Sequence, residues 1–157
     1  ERLGSALQIS DDKNLARYRT LQPLYNLMER DGFEAGLQAL CVREQIDVLP
    51  YFSLASGFLT GKYRVAADAS KSARGAGIVD KYLNDRGLRV LAALDETATQ
   101  LNTTPGAIAL AWLMARPAVA APIVSATNDS QLTELIAATT LNLPQAATDR
   151  LDAASAL

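Results

Sequence analysis

The sequence predicts an α/β fold built on parallel strands. Short extended runs alternate with longer helical ones, the order that builds strand–helix–strand units. Each extended run also leads into a polar segment, as at the loop-bearing edge of a parallel sheet. The 157 residues, 49% of them hydrophobic, are enough for one sizeable core, so a single domain is expected.

The opening ERLGSALQIS reads as the interior of an amphipathic helix, with Leu3, Ala6 and Leu7 on one face. There is no initiator Met and no signal peptide, so the chain is expected to be a fragment whose N-terminal part is absent. Asp11, Asp12 and Lys13 suit a solvated loop. Arg19 to Leu24 is the first strand candidate and Ile46 to Tyr51 the second. Between them FEAGLQALCVRE sets Phe33, Leu37, Leu40 and Cys41 at helical spacing, completing one strand–helix–strand unit. Tyr63 to Gly77, rich in Ala, Gly, Ser and basic residues, is expected to be a loop, and loops of that length within compact folds are often functional.

Val79 to Leu101 predicts one long helix with Leu83, Val90, Leu91 and Leu94 inward, ended by Asn102 and the threonines. The next helix is better marked. Thr104 suits its cap, Pro105 its first position, and Arg116 and Pro117 its end. Ala120 to Val124 is the third strand candidate. Asn128 and Gln131 then stand at capping-box spacing before LTELIAA, and a last helix is expected from Pro144 to Ala154.

Composition narrows the function classes. Fifteen basic and seventeen acidic residues give a net charge of −2, which argues against the broad basic face that nucleic acid or an anionic membrane would need. Cys41 is the single cysteine and there is no histidine, so neither an intrachain disulfide nor a Cys/His zinc site is expected, and a reducing cytoplasm fits best. No apolar run approaches the roughly 20 residues of a membrane span. The longest mixed stretch, Ala107 to Val124, is broken by Arg116, Pro117 and Pro122.

Three stretches could carry chemistry. In LPYFSLASGFLTGKYR, a strand runs into a loop containing Ser53, Ser56, Gly57, Thr60 and Gly61 and ending in Lys62; small residues let backbone amides approach phosphate, with lysine as counter-charge. It is not a Walker A loop, because Gly57 and Gly61 are one residue too close and Tyr63 follows the lysine; an ordinary surface loop fits the same residues. In PIVSATNDSQLTEL, Ser125 and Thr127 stand where a strand meets a helix N-terminus, an arrangement that suits either phosphate or plain capping. Gln22, in LQPLYNLMER, follows an extended run. All three sit at the strand C-terminal edge, where strand–helix barrels bind ligands.

Together these stretches resemble the long-loop, bacterial-type aldo-keto reductases. LQPLYNLMER is similar to that family's Q-x-x-YNL-x-x-R, PYFSLASGFLTGKY to its YSPLAxGxLTGKY, and PIVSATNDSQLTELIAA to its PI-x-G-A-x-x-x-x-QL-x-EN. The resemblance spans essentially the whole chain. It implies a partial (β/α)8 TIM barrel, with residues 1–157 forming the C-terminal half of a single barrel domain and supplying strands six to eight.

The resemblance also implies an NADP(H) site. Gln22 matches the residue that hydrogen-bonds the nicotinamide carboxamide and Tyr51 the aromatic that stacks on its ring. Phe52, Ser53, Leu54, Ala55 and Ser56 match the loop lining the pyrophosphate, and Lys62 the lysine of the GKY element. Arg74, with Ser72 nearby, is a looser match to a basic residue of the covering loop. Ser125, Thr127, Gln131 and Glu134 match positions around the adenosine and its 2′-phosphate. The chain departs from the pattern in having Phe52 and Ser53 for Ser-Pro, Ser125 for glycine, Leu135 for an adenine-contacting asparagine, and Gln131 where some branches carry arginine.

The family's catalytic Asp, Tyr, Lys and His belong to earlier strands, so no catalytic residue is assigned to this chain. The implied parent reduces aldehydes or ketones with NADPH, and the isolated chain is expected to be inactive and to associate, aggregate or need its missing half. The same half also resembles the noncatalytic, nucleotide-sensing β subunits of potassium channels, so the two readings stay open. Trp112, Cys41 and the neighbours Asp95 and Glu96 are expected to be respectively core, a buried small hydrophobe, and carboxylates pointing apart.

Overall fold

The computed structural model describes residues 2–156. Helix α1 (Arg2–Asp12) leads to strand β1 (Thr20–Leu21), the short helix α2 (Asp31–Glu34), helix α3 (Leu37–Glu44) and strand β2 (Asp47–Val48). The strands pair in parallel, Thr20 opposite Asp47 and Leu21 opposite Val48. Beyond the ladder the same pairing continues as a bridge between Leu24 and Tyr51. On the other side of β2 runs a third extended segment: Val48 N–H donates to Ala118 O (2.8 Å), Ala120 N–H to Val48 O (3.0 Å) and Ile123 N–H to Pro50 O (2.8 Å).

This third segment forms no regular strand over Ala120 to Val124; its bridge to β2 falls at Val119. Proline explains much of the irregularity. Pro50 and Pro122 lack the N–H that a ladder needs, so the sheet is held by separated bonds. Along the strands, faces alternate. Leu21 and Val48 join the core, whereas Thr20, Gln22, Asp47 and Tyr51 are exposed. The architecture is thus an open α/β layer and not a closed barrel.

The predicted helix from Val79 to Leu101 is two helices, α4 (Gly75–Tyr82) and α5 (Asp85–Gln100). Asn84 separates them: its backbone is extended and its side chain accepts the Gly87 N–H at 3.0 Å, a helix N-cap. Helix α5 then starts tight against α4, with the site of a Cβ on Gly87 only 1.8 Å from Tyr82 O and 2.9 Å from the Phe58 ring.

The predicted loop Tyr63 to Gly77 is also more ordered than its composition suggests. Ala66–Lys71 is a 3-10 segment, and α4 begins at Gly75, inside the expected loop. Arg64 holds Asp95 with two parallel bonds of 2.5 and 2.7 Å. Asp68 accepts from Arg64 N–H (2.6 Å) and Val65 N–H (3.1 Å) and pairs with Lys71 (2.9 Å). At the other expected loop, Asp11 and Asp12 instead close α1, and Arg17 bridges Asp11 to Glu44.

Helix α6 (Pro105–Met114) is apolar on every side and buried from Gly106 to Leu113, the signature of a central helix. Thr104 caps it as predicted, accepting from Ala107 N–H. It packs against α5 and against α7 (Asp129–Ala138). The last helix, α8 (Gln145–Ser155), lies on α5. Polar bonds latch α8 to the middle of the chain. Asp152 accepts from Trp112 Nε1 (2.8 Å) and Arg116 (3.1 Å), while Arg30 donates to Ser155 Oγ (2.8 Å) and Arg86 to Ser155 O (2.6 Å). The fully buried Trp112 is core, as its spacing predicts.

Candidate functional site

The C-terminal ends of β2 and of the third extended segment open into a cleft of about 700 Å³. Three distant parts of the sequence line it: Phe52 to Tyr63, Ser72 to Ile78, and Ile123 to Leu135. The first is a chain of left-handed turns. Phe52 (φ 53°), Ala55 (φ 48°), Ser56 (φ 57°), Gly57 (φ 90°) and Gly61 (φ 79°) all have positive φ. Three of the five are neither glycine nor asparagine, and such conformations cost about 1–2 kcal/mol each, so surrounding bonds must hold them. Ala55 N–H donates to Phe52 O (2.7 Å), Gly57 N–H to Leu54 O (2.9 Å) and Thr60 Oγ1 to Gly57 O (2.8 Å).

Helix α7 presents its N-terminus to the cleft from the other side. Asn128 caps it, accepting from Gln131 N–H at 2.9 Å, as the spacing predicts. The reciprocal half of the capping box is displaced by one residue: Gln131 Oε1 accepts from Thr127 N–H (2.9 Å) and Thr127 Oγ1 (3.0 Å) instead of Asn128. Gln131 also lines the cleft. The third wall is the ordered 63–77 segment. Tyr63, 1% exposed, bonds Ser72 Oγ through its hydroxyl at 2.9 Å, and Lys71 Nζ donates to Lys62 O. Asp68 locks this wall, and the backbone and Lys71 bonds it accepts hold its carboxyl down at about 2.

Lys62 and Arg74 give the cleft its positive side. Neither forms an ion pair among the described residues; the Lys62 ammonium lies 5.4 Å from the Tyr63 ring centre. Glu134 is the acidic residue on the α7 side. The arrangement offers two cations, a helix N-terminus and turn amides to a ligand carrying separated anionic groups.

Of the thirteen candidate residues, nine line this cleft: Phe52, Ser53, Leu54, Ser56, Lys62, Arg74, Ser125, Gln131 and Glu134. Four do not. Gln22 and Tyr51 are exposed at the same strand edge, Thr127 is engaged with Gln131, and Ala55 is fully buried beneath the turn. Ser53 is buried although it borders the cleft, and its hydroxyl lies 3.1 Å from Pro50 O and 3.0 Å from Ile123 O. Residue-by-residue reading missed Tyr63 and Ile78 as wall residues; for Tyr63, its place directly after Lys62 in the GKY element was the available signal.

Known proteins match much of this chain. The model of the Aldo/keto reductase family fits residues 2–156. A probable voltage-gated potassium channel subunit beta of Arabidopsis thaliana is 33% identical over 117 residues, 72% of this chain and 36% of that protein. Protein tas of Escherichia coli (strain K12) is 32% identical over 128 residues, 80% of this chain and 36% of its own length. The L-glyceraldehyde 3-phosphate reductase of the same strain is 30% identical over 122 residues, 74% of this chain and 35% of that enzyme. The matched region thus spans little more than a third of these relatives. With a family match over residues 2–156, the chain belongs to the aldo/keto reductase family.

Proposed function

We propose that residues 1–157 are the C-terminal part of one aldo/keto reductase barrel domain, of the long-loop bacterial type, and that they bind NADP(H) for reduction of an aldehyde or ketone. The observation that carries this is the convergence of Lys62, Arg74 and the α7 N-terminus on one cleft from three separate parts of the sequence. The residues present fit the cofactor in charge: Lys62 and Arg74 lie where a dinucleotide's phosphates would need cations. Gln22 and Tyr51, exposed on the strand edge beside the cleft, would meet the nicotinamide, Gln22 through its amide and Tyr51 through its ring face. Phe52, Ser53, Leu54, Ala55 and Ser56 would shape the wall along the pyrophosphate. Ser125, Thr127, Gln131 and Glu134 would surround the adenosine end.

When bound, the cofactor supplies the hydride that converts carbonyl to alcohol. This chain's residues orient it and exclude water. The proton donor is assigned to the part of the barrel that precedes this chain, so the isolated chain is expected to be inactive. The uncovered sheet face supports that reading, because parallel sheets are ordinarily covered on both faces.

Fluorescence titration of the chain with NADPH tests the proposal. Replacing Lys62→Ala or Arg74→Ala should each weaken binding about five-fold, the loss expected for one exposed charge on a phosphate. Wild-type affinity in both variants would remove the phosphate assignment. A second reading, a noncatalytic NADPH-sensing subunit, is favoured by the 33% identity to a potassium channel subunit beta. Multiple-turnover carbonyl reduction by the full-length protein separates the two: turnover supports the reductase, and tight binding without turnover supports the sensor.

A further inference from the structure

We propose that Asn26 is a positioning residue for the nicotinamide end of the cleft: it holds the backbone of Phe52 in its left-handed turn and thereby sets the presentation of the Tyr51 ring. The proposal rests on the reading of Tyr51 as the nicotinamide platform.

Asn26 lies in the turn that follows the first extended segment, where its backbone exchanges bonds with Glu29 (3.4 and 3.0 Å). Its side chain is 1% exposed. Such a buried amide must satisfy both of its ends, and it does so on two different parts of the chain. Oδ1 accepts from Met28 N–H at 2.8 Å, fixing the amide within its own turn, and Nδ2 donates to Phe52 O at 2.9 Å, across 26 residues of sequence.

Phe52 needs that support. Its φ of 53° is unfavourable for a residue with a bulky side chain, and its ring is 50% exposed, so packing does not impose the conformation. On the other side of the turn, the buried Ser53 hydroxyl ties the chain to Pro50 O and Ile123 O. Phe52 is therefore pinned between Asn26 beyond the first segment and, through the neighbouring Ser53 hydroxyl, Ile123 on the third. The Tyr51 ring, 5.3 Å from the Phe52 ring at 56°, moves with it. Loss of the Asn26 donor would let Phe52 relax toward negative φ, and Tyr51 would turn on the strand edge. The adenosine end, assigned to Ser125, Thr127, Gln131 and Glu134, shares none of these bonds.

When ionised, the aspartate of Asn26→Asp keeps an acceptor for Met28 N–H and removes the donor to Phe52 O. In the isotope-labelled chain, the Cα and Cβ chemical shifts of Phe52 report its backbone conformation, while affinities for NADPH and for 2′,5′-ADP, which has no nicotinamide, report the two ends of the cleft. Asn26→Asp should move Phe52 out of the left-handed pattern and weaken NADPH binding about ten-fold, with 2′,5′-ADP affinity within about two-fold of wild type. In a Phe52→Gly background, where glycine adopts positive φ at no steric cost, Asn26→Asp should leave NADPH affinity unchanged. A left-handed Phe52 in the Asn26→Asp chain overturns the proposal, as does an equal loss for both ligands. A relaxed Phe52 with wild-type NADPH affinity also overturns it while leaving the phosphate site standing. Failure of the wild-type chain to bind either ligand overturns the function on which it rests.

Discussion

Asp68 shows how one side chain shapes a wall of the cleft. Two backbone N–H groups and Lys71 favour its ionised form, which lowers its ionisation from the ordinary 3.8 to about 2. A group whose folded value is depressed contributes order above its unfolded value and loses it as pH falls through the folded one. The 63–77 segment should therefore be fully held above about pH 4 and released toward pH 2. An NMR titration of the Asp68 carboxyl carbon with a midpoint near 3.8 would contradict this. None of these contacts was legible in the sequence, where the segment reads as a loop by composition. Only its place in the GKY element pointed to Tyr63, because its burial, with its hydroxyl on Ser72 Oγ, is tertiary. Asn26 was quoted within YNL, but a bond across 26 residues leaves no local signature. Trp112 was legible because helical spacing alone sets it among Ile108 and Ala111.

Element boundaries divide in the same way. The ends of α6 and α7 were readable because Thr104, Pro105 and Asn128 carry capping chemistry within their own turn. The break between α4 and α5 was not, because Leu83 continues the apolar rhythm across it and Asn84 sits among other polar residues. Gly87 is the more telling residue there. A Cβ at that position would meet Tyr82 O at 1.8 Å, and backbone cannot move aside as a side chain can. Gly87→Ala is expected to destabilise the fold by about 2–3 kcal/mol, the upper range for overpacking, despite alanine's better helix propensity. Urea unfolding gives the value directly; a neutral or stabilising result would mean that α4 and α5 do not approach this closely. The first two strands were placed correctly but overextended, and the third, Ala120 to Val124, forms no regular strand, since Pro50 and Pro122 interrupt pairing that hydrophobic content alone suggested.

At the scale of the whole molecule, helices cover one face of the sheet while Gln22, Asp47 and Tyr51 lie exposed on the other. Ile123, Leu132 and Ile136, at 41%, 50% and 59% exposure, extend the open surface toward α7. If this surface is the seat of the remaining barrel, the chain by itself should associate at micromolar concentration. Sedimentation velocity over a dilution series checks this; a monodisperse monomer throughout would count against the partial-barrel reading. The latch of α8 adds a dimension of time. Arg30 reaches Asp152 O and Ser155 Oγ across 122 and 125 residues, and Arg86 reaches Ser155 O across 69. Contacts so distant in sequence close late, because loop entropy must be overcome before they form. On the ribosome the core helices α5 and α6 emerge before their fastening helix, so this part of the nascent molecule waits, unfastened, until α8 has been made.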